Sequence, residues 1–495
     1  MDNLKKILNV AQIREADNYT IKNNPITSIE LMESAANSFV KALEKEELTS
    51  KKIIVVCGPG NNGGDGFAVC RILKRKGFDA SALLVKFKET LSPDCEVNKN
   101  RLEKVLTIES SSPSFDFSQY DLIIDAIFGS GLNSPIKGFV SEVIEAINIA
   151  GKEVYSIDVP SGLSCDTISK YDCIVKSAHV ISFQRPKLSF FFTENSDYIK
   201  SWEIVDIGLD ESFIQGQESI YSILDESVSQ YVITRPRQSH KGTYGHALLL
   251  AGSYGKMGAA ILSAKACLRS GVGLLTSHVP KCGYEIMQIS VPESMCLTDE
   301  NQNILTTLPD IKNFDSVGIG PGIGKDDLTA KMLESLLKSS SQPLVLDADA
   351  INIISANKEL LKYLPRNTIL TPHIKEFDRL VGKSESTPER FEKQLKFSQN
   401  HNCIIVLKNA YTTISSPEGR LYFNTSGNQG MATGGSGDVL TGIITGLLAQ
   451  KYEPIFAAII AVYFHGKAGD EGVKKRSYTS LIASDIIDKL NIEPV

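Results

Sequence analysis

Residues Ser426 to Gln450 read SGNQGMATGGSGDVLTGIITGLLAQ, a polar loop with five glycines followed by an apolar run with helical spacing. Glycine allows close approach to the backbone, and the first turn of a helix offers unpaired N–H groups and a positive dipole end. The stretch therefore predicts a seat for an anion. Asp438 lies at the edge of this predicted site, where a carboxylate would repel an anion. Its presence therefore indicates another role, such as polarising a reacting hydroxyl group. Taken alone, the stretch is more typical of a flexible loop before a core helix, so the rest of the chain has to decide.

Size and composition limit the class of protein. A chain of 495 residues suggests two or three domains, and 42% hydrophobic with 22% charged residues is ordinary for a globular protein. The net charge of -6 argues against nucleic acid as the main partner. The longest apolar run, Phe456 to Phe464, is far short of the roughly 20 residues that span a bilayer, so no membrane partner is expected. Nine dispersed cysteines without a C-x-x-C motif predict free thiols and a cytoplasmic location.

The first half predicts a nucleotide-type α/β unit. Two helices over residues 11–47 precede a buried strand, Ile53 to Cys57, a glycine-rich turn, Gly58 to Gly66, and an amphipathic helix, Phe67 to Lys76. A strand, a glycine-rich turn and a helix in this order form the phosphate-binding unit of such folds. The turn departs from the dinucleotide fingerprint, and its Asn and Asp side chains suggest ligation by side-chain oxygens as well as by N–H groups.

Two further strands of this half end in acidic residues. DLIID ends at Asp125 and EVYSID ends at Asp158, and ligands of open α/β sheets bind at the carboxyl ends of the strands. Each carboxylate could alone be a helix cap or a turn former. Together, Asn62, Asp125 and Ser161 offer hard oxygen ligands that suit a weakly bound monovalent cation. Asp158 is the candidate general base, and His179, in a strand-like run, is predicted to be a core residue.

After a boundary predicted near residues 215–225, the second half again contains apolar strands that end in polar residues. A βαβ unit over residues 241–279 precedes VGIGPGIG, PLVLDADAIN, TILTPHIKEF and CIIVLKNAYT, each an apolar strand that delivers polar residues to one edge. A hairpin turning at residues 417–419 then leads into the opening stretch. His373 could cap the following helix, and His465 is predicted to be a satisfied core histidine. Asp347 and Asp349 are predicted to be structural or to support the site from behind, either as paired carboxylates on alternate strand positions or in a hydrogen-bonded turn with Asn352.

Over about residues 10–210 the sequence resembles the NAD(P)H-hydrate epimerase family. GPGNNGGDGFAVCRIL, DAIFGSGL and SIDVPSGLSCD carry the resemblance, with READ and LMESAA matching the entry helices. The resemblance implies interconversion of the two hydration epimers of NADH or NADPH, with Asp158 as the catalytic residue and K⁺ at Asn62, Asp125 and Ser161. It implies hydrate contacts by the following residues: Asn61, Asn62, Gly63, Gly64, Asp65, Gly129, Ser130, Gly131, Leu132, Asn133, Ser134, Pro135 and Asp158.

Over about residues 225–490 the sequence resembles the ADP-dependent NAD(P)H-hydrate dehydratases of the ribokinase-like superfamily. GPGIG, LDADAIN, LTPH, LKNAYT and GGSGDVLTG carry this resemblance. It implies hydrate contacts by Ala259, Gly322, His373 and Asp438, with Asp438 catalytic. It implies ADP contacts by Lys408, Asn409, Ala410, Tyr411, Thr412, Asn428, Gln429, Gly430, Met431, Ala432, Thr433, Gly434, Gly435, Ser436 and Gly437. Two positions depart from the family pattern: Ile374-Lys375-Glu376 replaces Pro-Gly-Glu after the histidine, and Asn409 stands where glycine is usual.

Together the two resemblances imply an α/β protein with a Rossmann-like three-layer αβα domain over residues 1–218 and a ribokinase-like αβα domain over residues 219–495. They imply a bifunctional isomerase and hydro-lyase that repairs NADHX and NADPHX, consumes ADP with Mg²⁺, and forms a homo-oligomer. The alternative is a ribokinase-type small-molecule kinase with a non-catalytic N-terminal binding module. The sequence alone does not choose between ADP and ATP.

Overall fold

The structure is a computed structural model that describes residues 4–48, 50–111, 115–132, 135–169 and 173–494. These residues form two compact units, one over Lys6–Ser219 and the other from Ile220 onward together with Leu4 and Lys5. The change of unit lies one residue beyond the predicted division at 218/219. None of the helices in the described ranges combines the length and apolar character that a bilayer-spanning helix needs. All nine cysteines are free thiols, as predicted.

The first unit is a parallel sheet with helices on both faces. Its described strands are β1 (Ile53–Cys57), β2 (Ala80–Val85), β3 (Leu106–Ile108), β4 (Leu122–Ala126), β5 (Glu153–Ile157), β6 (His179–Phe183) and β7 (Trp202–Val205). They pair in the order β3-β2-β1-β4-β5-β6-β7, all parallel, so the strand order reverses between β1 and β4. Ligands of such sheets bind beyond the carboxyl ends of the strands beside this reversal. The described helices are α1 (Val10–Asn23), α2 (Ser28–Leu43), α3 (Asn61–Arg75), α4 (Pro93–Asn100), α5 (Phe139–Ile149) and α6 (Glu211–Gly216).

The glycine-rich segment after β1 is helical, and the predicted turn up to Gly66 is wrong. Helix α3 begins at Asn61, six residues before the predicted start at Phe67. A Cβ on Gly63 would lie 1.8 Å from the carbonyl oxygen of Gly58, and one on Gly66 would lie 2.6 Å from the Cβ of Ala126. These glycines therefore let the helix approach the sheet closely. From sequence alone, glycines that permit close packing look the same as glycines of a turn.

The second unit contains a larger mixed sheet. Its described strands are β8 (Tyr221–Leu224), β9 (His246–Leu250), β10 (Leu274–Val279), β11 (Met295–Thr298), β12 (Ser316–Ile319), β13 (Leu344–Leu346), β14 (Ile369–Leu370), β15 (Ile404–Leu407), β16 (Thr413–Ser415) and β17 (Leu421–Asn424). They pair in the order β11-β10-β9-β12-β13-β14-β15-β16-β17-β8. The described helices are α7 (Met257–Arg269), α8 (Tyr284–Ser290), α9 (Asp327–Ser339), α10 (Ala348–Ala356), α11 (Ile374–Val381), α12 (Thr387–His401), α13 (Ser436–Ala449), α14 (Pro454–Val473) and α15 (Ala483–Lys489).

Separate apolar clusters cover the two faces of each sheet, which confirms the predicted pair of three-layer α/β units. In the second unit one cluster joins α13, α14 and α15 to the sheet, and another joins α9, α10 and α11. In the first unit, α2 and α3 pack on one face and α5 on the other. The hairpin predicted at residues 417–419 is confirmed by antiparallel pairing of β16 with β17.

Two local predictions are wrong. His179 is half-buried and bonds through Nδ1 to the hydroxyl of Ser201 at 2.7 Å, because it begins β6 and does not lie within the core. In the segment PLVLDADAIN the predicted apolar strand is β13, which ends at Leu346 and is followed by Asp347, so the alternate strand positions considered for Asp347 and Asp349 are wrong. Asp347 is the N-cap of α10, and Asp349 lies in the first turn of that helix.

Candidate functional site

The first unit contains a cavity of about 490 Å³ at the carboxyl ends of β1, β4, β5 and β6. Eight of the predicted hydrate-contact residues line it: Asn61, Asn62, Asp65, Gly129, Ser130, Gly131, Leu132 and Asp158. Gly63 and Gly64 do not line it, because they pack against Gly58 and Met32 on the protein side of α3. Pro135 is outside the lining as well. Asn133 and Ser134 lie outside the described residues.

Asp158 is held rigidly in this cavity. Its Oδ1 atom accepts hydrogen bonds from Lys187 Nζ at 2.7 Å, from Ser182 Oγ at 3.1 Å and from the Phe183 N–H at 3.1 Å. The backbone of Asp158 has a φ of 67°, a left-handed conformation that Asp and Asn tolerate better than most residues. The ion pair with Lys187 is buried, so the carboxylate is fixed in position with a cation beside it.

The sequence analysis missed four charged residues of the cavity wall, one of which is Lys88 in the segment after β2. Lys187 follows β6, and Arg14 and Asp17 lie on α1. Burial first, and then the charge of Asp158, raise the pKa of Asp17 to about 6. Lys187 could have been predicted, because it follows the end of β6 as Asp125 and Asp158 lie at the ends of β4 and β5. Arg14 and Asp17 could not, because only the tertiary fold brings α1 to the cavity.

Two of the predicted cation ligands, Asp125 and Ser161, are hydrogen-bonded to each other, and the third, Asn62, lines the cavity. The fully buried carboxylate of Asp125 accepts from Ser161 Oγ at 2.5 Å, from the Ser161 N–H at 2.8 Å and from Ser156 Oγ at 3.0 Å. Burial raises the pKa of Asp125 despite these bonds. The side chain of Asn62 lies 3.1 Å from a Cβ placed on Gly129, and its Nδ2 atom is buried without a hydrogen-bond partner among the described residues.

In the second unit, the start of α13 is open to an anion. Gly435 is the N-cap with a φ of 92°, which glycine adopts without strain, and no described side chain caps the helix. The Nζ atom of Lys408 lies 3.1 Å from a Cβ placed on Gly437. Lys408 and Gly437, which belong to the two predicted ADP stretches, are therefore neighbours, and the free N–H groups of α13 lie beside a cation.

A buried carboxylate positions Lys408. Asp347 is 1% exposed and accepts from Lys408 Nζ at 2.8 Å and from Thr441 Oγ1 at 2.7 Å. Burial first, and then the charge of Asp347, raise the pKa of Asp438 to about 7, while Lys408 partly offsets the rise. Asp438 therefore exchanges a proton near neutral pH, as a general base requires. The predicted supporting role of Asp347 agrees with this geometry, although Thr441 was not foreseen.

The remaining predicted contacts lie at the same edge of the sheet. Ala259 packs against Gly322, where a Cβ on the glycine would lie 3.2 Å from that of Ala259. His373 pairs with Lys408 in a parallel bridge and caps α11, accepting from the Glu376 N–H at 3.3 Å. Because Ile374 and Lys375 are already helical, the departure from Pro-Gly-Glu leaves this cap intact.

The loop before α13 is held from behind by residues of α14. Asn428 caps the turn at residues 429–431 and donates to Asp470 Oδ1 at 2.9 Å, and the Gly427 N–H donates to Asp470 Oδ2 at 2.9 Å. His465 is buried, bonds to Ser436 at 3.3 Å, and has its pKa lowered to about 4 by burial. His465 is therefore neutral and structural, as predicted, whereas Asp470 was missed because it lies in a helix remote in sequence.

Two α/β units, each with a carboxylate at the carboxyl edge of a largely parallel sheet, define a two-domain enzyme for nucleotide-like substrates. Family sequence profiles match both halves: "NAD(P)H-hydrate dehydratase" over residues 247–491 and "YjeF-related protein N-terminus" over residues 28–189. The bifunctional NAD(P)H-hydrate repair enzyme of Moorella thermoacetica is 33% identical, covering 98% of this chain and 96% of the relative. That of Escherichia coli is 30% identical, covering 94% and 89%. The chain belongs to the bifunctional NAD(P)H-hydrate repair enzymes.

A similar solved structure is the ADP/ATP-dependent NAD(P)H-hydrate dehydratase of Bacillus subtilis, co-crystallised with ATP and Mg²⁺. It is 30% identical with a TM-score of 0.49, covering 54% of this chain and 95% of that one. Membership of the family confirms the predicted pairing of an epimerase with a dehydratase in one chain.

Proposed function

We propose that the second unit removes water from the S hydrate of NADH or NADPH at the expense of ADP, giving AMP and phosphate, and that the first unit interconverts the R and S hydrates. The observation that carries the dehydratase assignment is the open start of α13, with Lys408 beside it and a carboxylate, Asp438, that titrates near neutral pH. This arrangement suits phosphoryl transfer to a hydroxyl group.

The chemistry follows from the poor leaving ability of the hydroxyl on C6 of the hydrated nicotinamide. Asp438 takes the proton of this hydroxyl, and its oxygen attacks the terminal phosphorus of ADP. The N–H groups of Gly437 and its neighbours, with Lys408, stabilise the charge of the transferring group. Phosphate then leaves, assisted by the ring nitrogen, and loss of the C5 proton regenerates the reduced cofactor. The nucleotide is thus consumed with each hydrate.

We infer that ADP lies along residues 408–412 and 428–437. The proximity of Lys408 to Gly437 supports this assignment, as does the anchoring of the loop by Asp470. Mg²⁺, when bound with the nucleotide, neutralises phosphate charge. The choice of ADP over ATP rests on the resemblance of the sequence to the ADP-dependent dehydratases.

The nucleotide assignment is tested with the resolved S hydrate and either ADP or ATP. ADP should give the reduced cofactor, AMP and inorganic phosphate in equal amounts, and faster turnover with ATP would contradict the preference. A stable phosphorylated product would decide for the rival function, a ribokinase-type small-molecule kinase. The membership of both halves in the repair family argues against that rival.

A single chain with both activities has a chemical rationale. Hydration that occurs spontaneously yields both epimers, and a dehydratase that accepts only the S hydrate leaves the R hydrate behind. The cavity of the first unit, with the fixed carboxylate of Asp158, supplies a site for exchange between them. We infer that Asp158 is the base of that exchange.

We also infer a K⁺ site at Asn62, Asp125 and Ser161. The carboxylate of Asp125, the hydroxyl of Ser161 and the side-chain oxygen of Asn62 are hard oxygen ligands, which suit a weakly bound monovalent cation. K⁺ would neutralise the buried carboxylate of Asp125, whose pKa burial otherwise raises.

K⁺ should stabilise the first unit against unfolding. At about ten times its dissociation constant the ion adds ~1.4 kcal/mol to the free energy of unfolding. Chemical unfolding in KCl and in choline chloride at equal ionic strength measures the difference, and Asp125→Asn should abolish it. Equal stability of the wild-type protein in the two salts would refute the site.

We infer that the chain forms a homo-oligomer through α8 and the edge strand β11. Ile289 is 81% exposed, and Met295 and Leu297 on the edge strand are 46% and 41% exposed. Exposed apolar side chains beside an unpaired edge favour association with a second copy.

Replacing Ile289 and Leu297 together with Glu should convert the oligomer to a monomer, because two charges would be buried at the contact. Light scattering after size-exclusion chromatography measures the mass. Ile149→Glu is the matched control, since Ile149 is 77% exposed on α5 and belongs to the first unit. An unchanged oligomer in the double variant would refute the surface.

A further inference from the structure

The cavity of the first unit contains a second carboxylate that the proposed reaction has not yet used. Asp17 lines the cavity from α1, whereas Asp158 enters it from the carboxyl end of β5. The side chain of Asp17 makes no hydrogen bond or ion pair within the described ranges, and the charges of Arg14, Lys187 and Asp158 act on it. The side chain of Asp158 differs in this respect, because its Oδ1 atom accepts hydrogen bonds from Lys187, Ser182 and the Phe183 N–H. One carboxylate is immobilised beside a cation, and the other is free to exchange protons with a ligand.

The charged groups around Asp17 come from several elements. Arg14 lies one turn earlier on α1, Asp65 lies on α3, and Asp158 and Lys187 follow β5 and β6. Lys88 also lines the cavity. Arg14 and Lys187 lower the pKa of Asp17, but burial and Asp158 outweigh them and leave it at about 6. Burial first, and then the charges of Asp158, Asp17 and Asp94, hold the pKa of Asp65 well above its ordinary value.

Inversion at C6 requires two proton transfers at different positions. The C6–O bond breaks when the hydroxyl accepts a proton and leaves as water, while the lone pair of N1 forms an iminium bond to C6. Water then adds to the other face of C6 and gives up a proton, so that atoms and charge balance over the cycle. A carboxylate whose Oδ1 is fixed by three hydrogen bonds cannot serve both faces of the ring.

We propose that Asp17 is a second catalytic residue of the epimerase site, acting as the acid toward one face of the hydrate while Asp158 acts as the base toward the other. The inference rests on the proposed epimerase function and adds to it a residue and a division of labour. In one direction Asp17 donates the proton to the departing hydroxyl and Asp158 accepts the proton of the incoming water. In the reverse direction the two residues exchange roles.

One proton is therefore shared between the two carboxyl groups in the active state. Exchange should be fastest where the pair of carboxyl groups holds one proton, because each direction needs one protonated and one ionised member. It should fall as the pH rises through the pKa of Asp17, at about 6 in the free protein. Asp17→Glu keeps a carboxyl group but changes its reach and its pKa, so this variant should retain slow exchange with a displaced alkaline limb. A purely structural role for Asp17 would leave the limb where it is.

The test measures exchange between the resolved R and S hydrates by chromatography, with the full chain and without nucleotide. Asp17→Asn should slow exchange by about 10²- to 10⁴-fold. The same preparation with ADP should still dehydrate the S hydrate at the wild-type rate, because the second unit is unchanged, and the exchange retained by Asp17→Glu shows that a substitution at this position leaves the first unit folded. Glu15→Gln is the matched control, because Glu15 is exposed on the same helix and lies outside the cavity lining. In H₂¹⁸O, each exchange event of the wild-type enzyme should place one ¹⁸O on C6.

The outcomes separate this inference from the function on which it rests. Wild-type protein without any exchange above the spontaneous rate would refute the epimerase function itself. Exchange in the wild type that persists undiminished in Asp17→Asn would overturn the role of Asp17 alone. Exchange without ¹⁸O incorporation would overturn it as well, because no hydroxyl would have left C6.

Discussion

Asp438→Asn is expected to slow dehydration of the S hydrate by about 10²- to 10⁴-fold, since the variant cannot take the proton of the attacking hydroxyl. The substitution keeps the size of the side chain at the start of α13 and removes the carboxyl group whose pKa burial and Asp347 raise. Formation of the reduced cofactor with saturating ADP measures the rate. Asp327→Asn, an exposed residue at the start of α9, is the matched control.

The wild-type rate should also depend on pH in a defined direction. Asp438 is active as a base only when ionised, and its pKa is about 7 in the free protein. Turnover should therefore rise as the pH increases through 7 and level off above it. Normal turnover by Asp438→Asn, or a rate independent of pH across this range, would contradict the assignment of the base.

Asp158→Asn is expected to remove exchange between the R and S hydrates while leaving dehydration of the S hydrate unchanged. Asparagine tolerates the left-handed backbone at this position, where φ is 67°, so the fold should persist. The loss should be about 10²- to 10⁴-fold, because Lys187 would face a neutral amide and no base would remain at this position.

Epimer-resolved chromatography without nucleotide measures this loss directly. Asp197→Asn is the matched control, since its side chain is 84% exposed. Exchange at the wild-type rate in Asp158→Asn would contradict the assignment of Asp158 as the base. Wild-type protein without exchange above the spontaneous rate would instead make the first unit a binding module.

Much of the fold could be predicted because parallel strands make a regular pattern. The apolar runs that end before Asp125, Asp158 and Lys408 lie in or adjoin parallel strands, so their polar residues meet at one edge of each sheet. The loop and helix of residues Ser426 to Gln450 were also well predicted, although α13 begins at Ser436 and not at Val439, where the apolar run begins. Its first turn is polar and glycine-rich, and local preference alone does not extend a helix through such residues.

The rest depended on tertiary contacts. Helix α3 extends through Gly63 and Gly66 because the sheet lies directly behind them, and nothing local distinguishes that purpose from a turn. Asp17, Lys187 and Asp470 reach their sites from elements far away in the sequence. Perturbed pKa values such as that of Asp17 arise from burial, which a sequence pattern does not contain.

If one chain both exchanges the epimers and dehydrates one of them with ADP, a single time course should show complete conversion of a mixture of the two hydrates. An equimolar mixture of R and S hydrates is incubated with the full chain and excess ADP. Enough enzyme is used that the reaction ends before spontaneous epimerisation contributes. We expect the whole mixture to become reduced cofactor, with one inorganic phosphate and one AMP released for each hydrate. Conversion that stops at half of the mixture, or phosphate retained on an organic product, would contradict it.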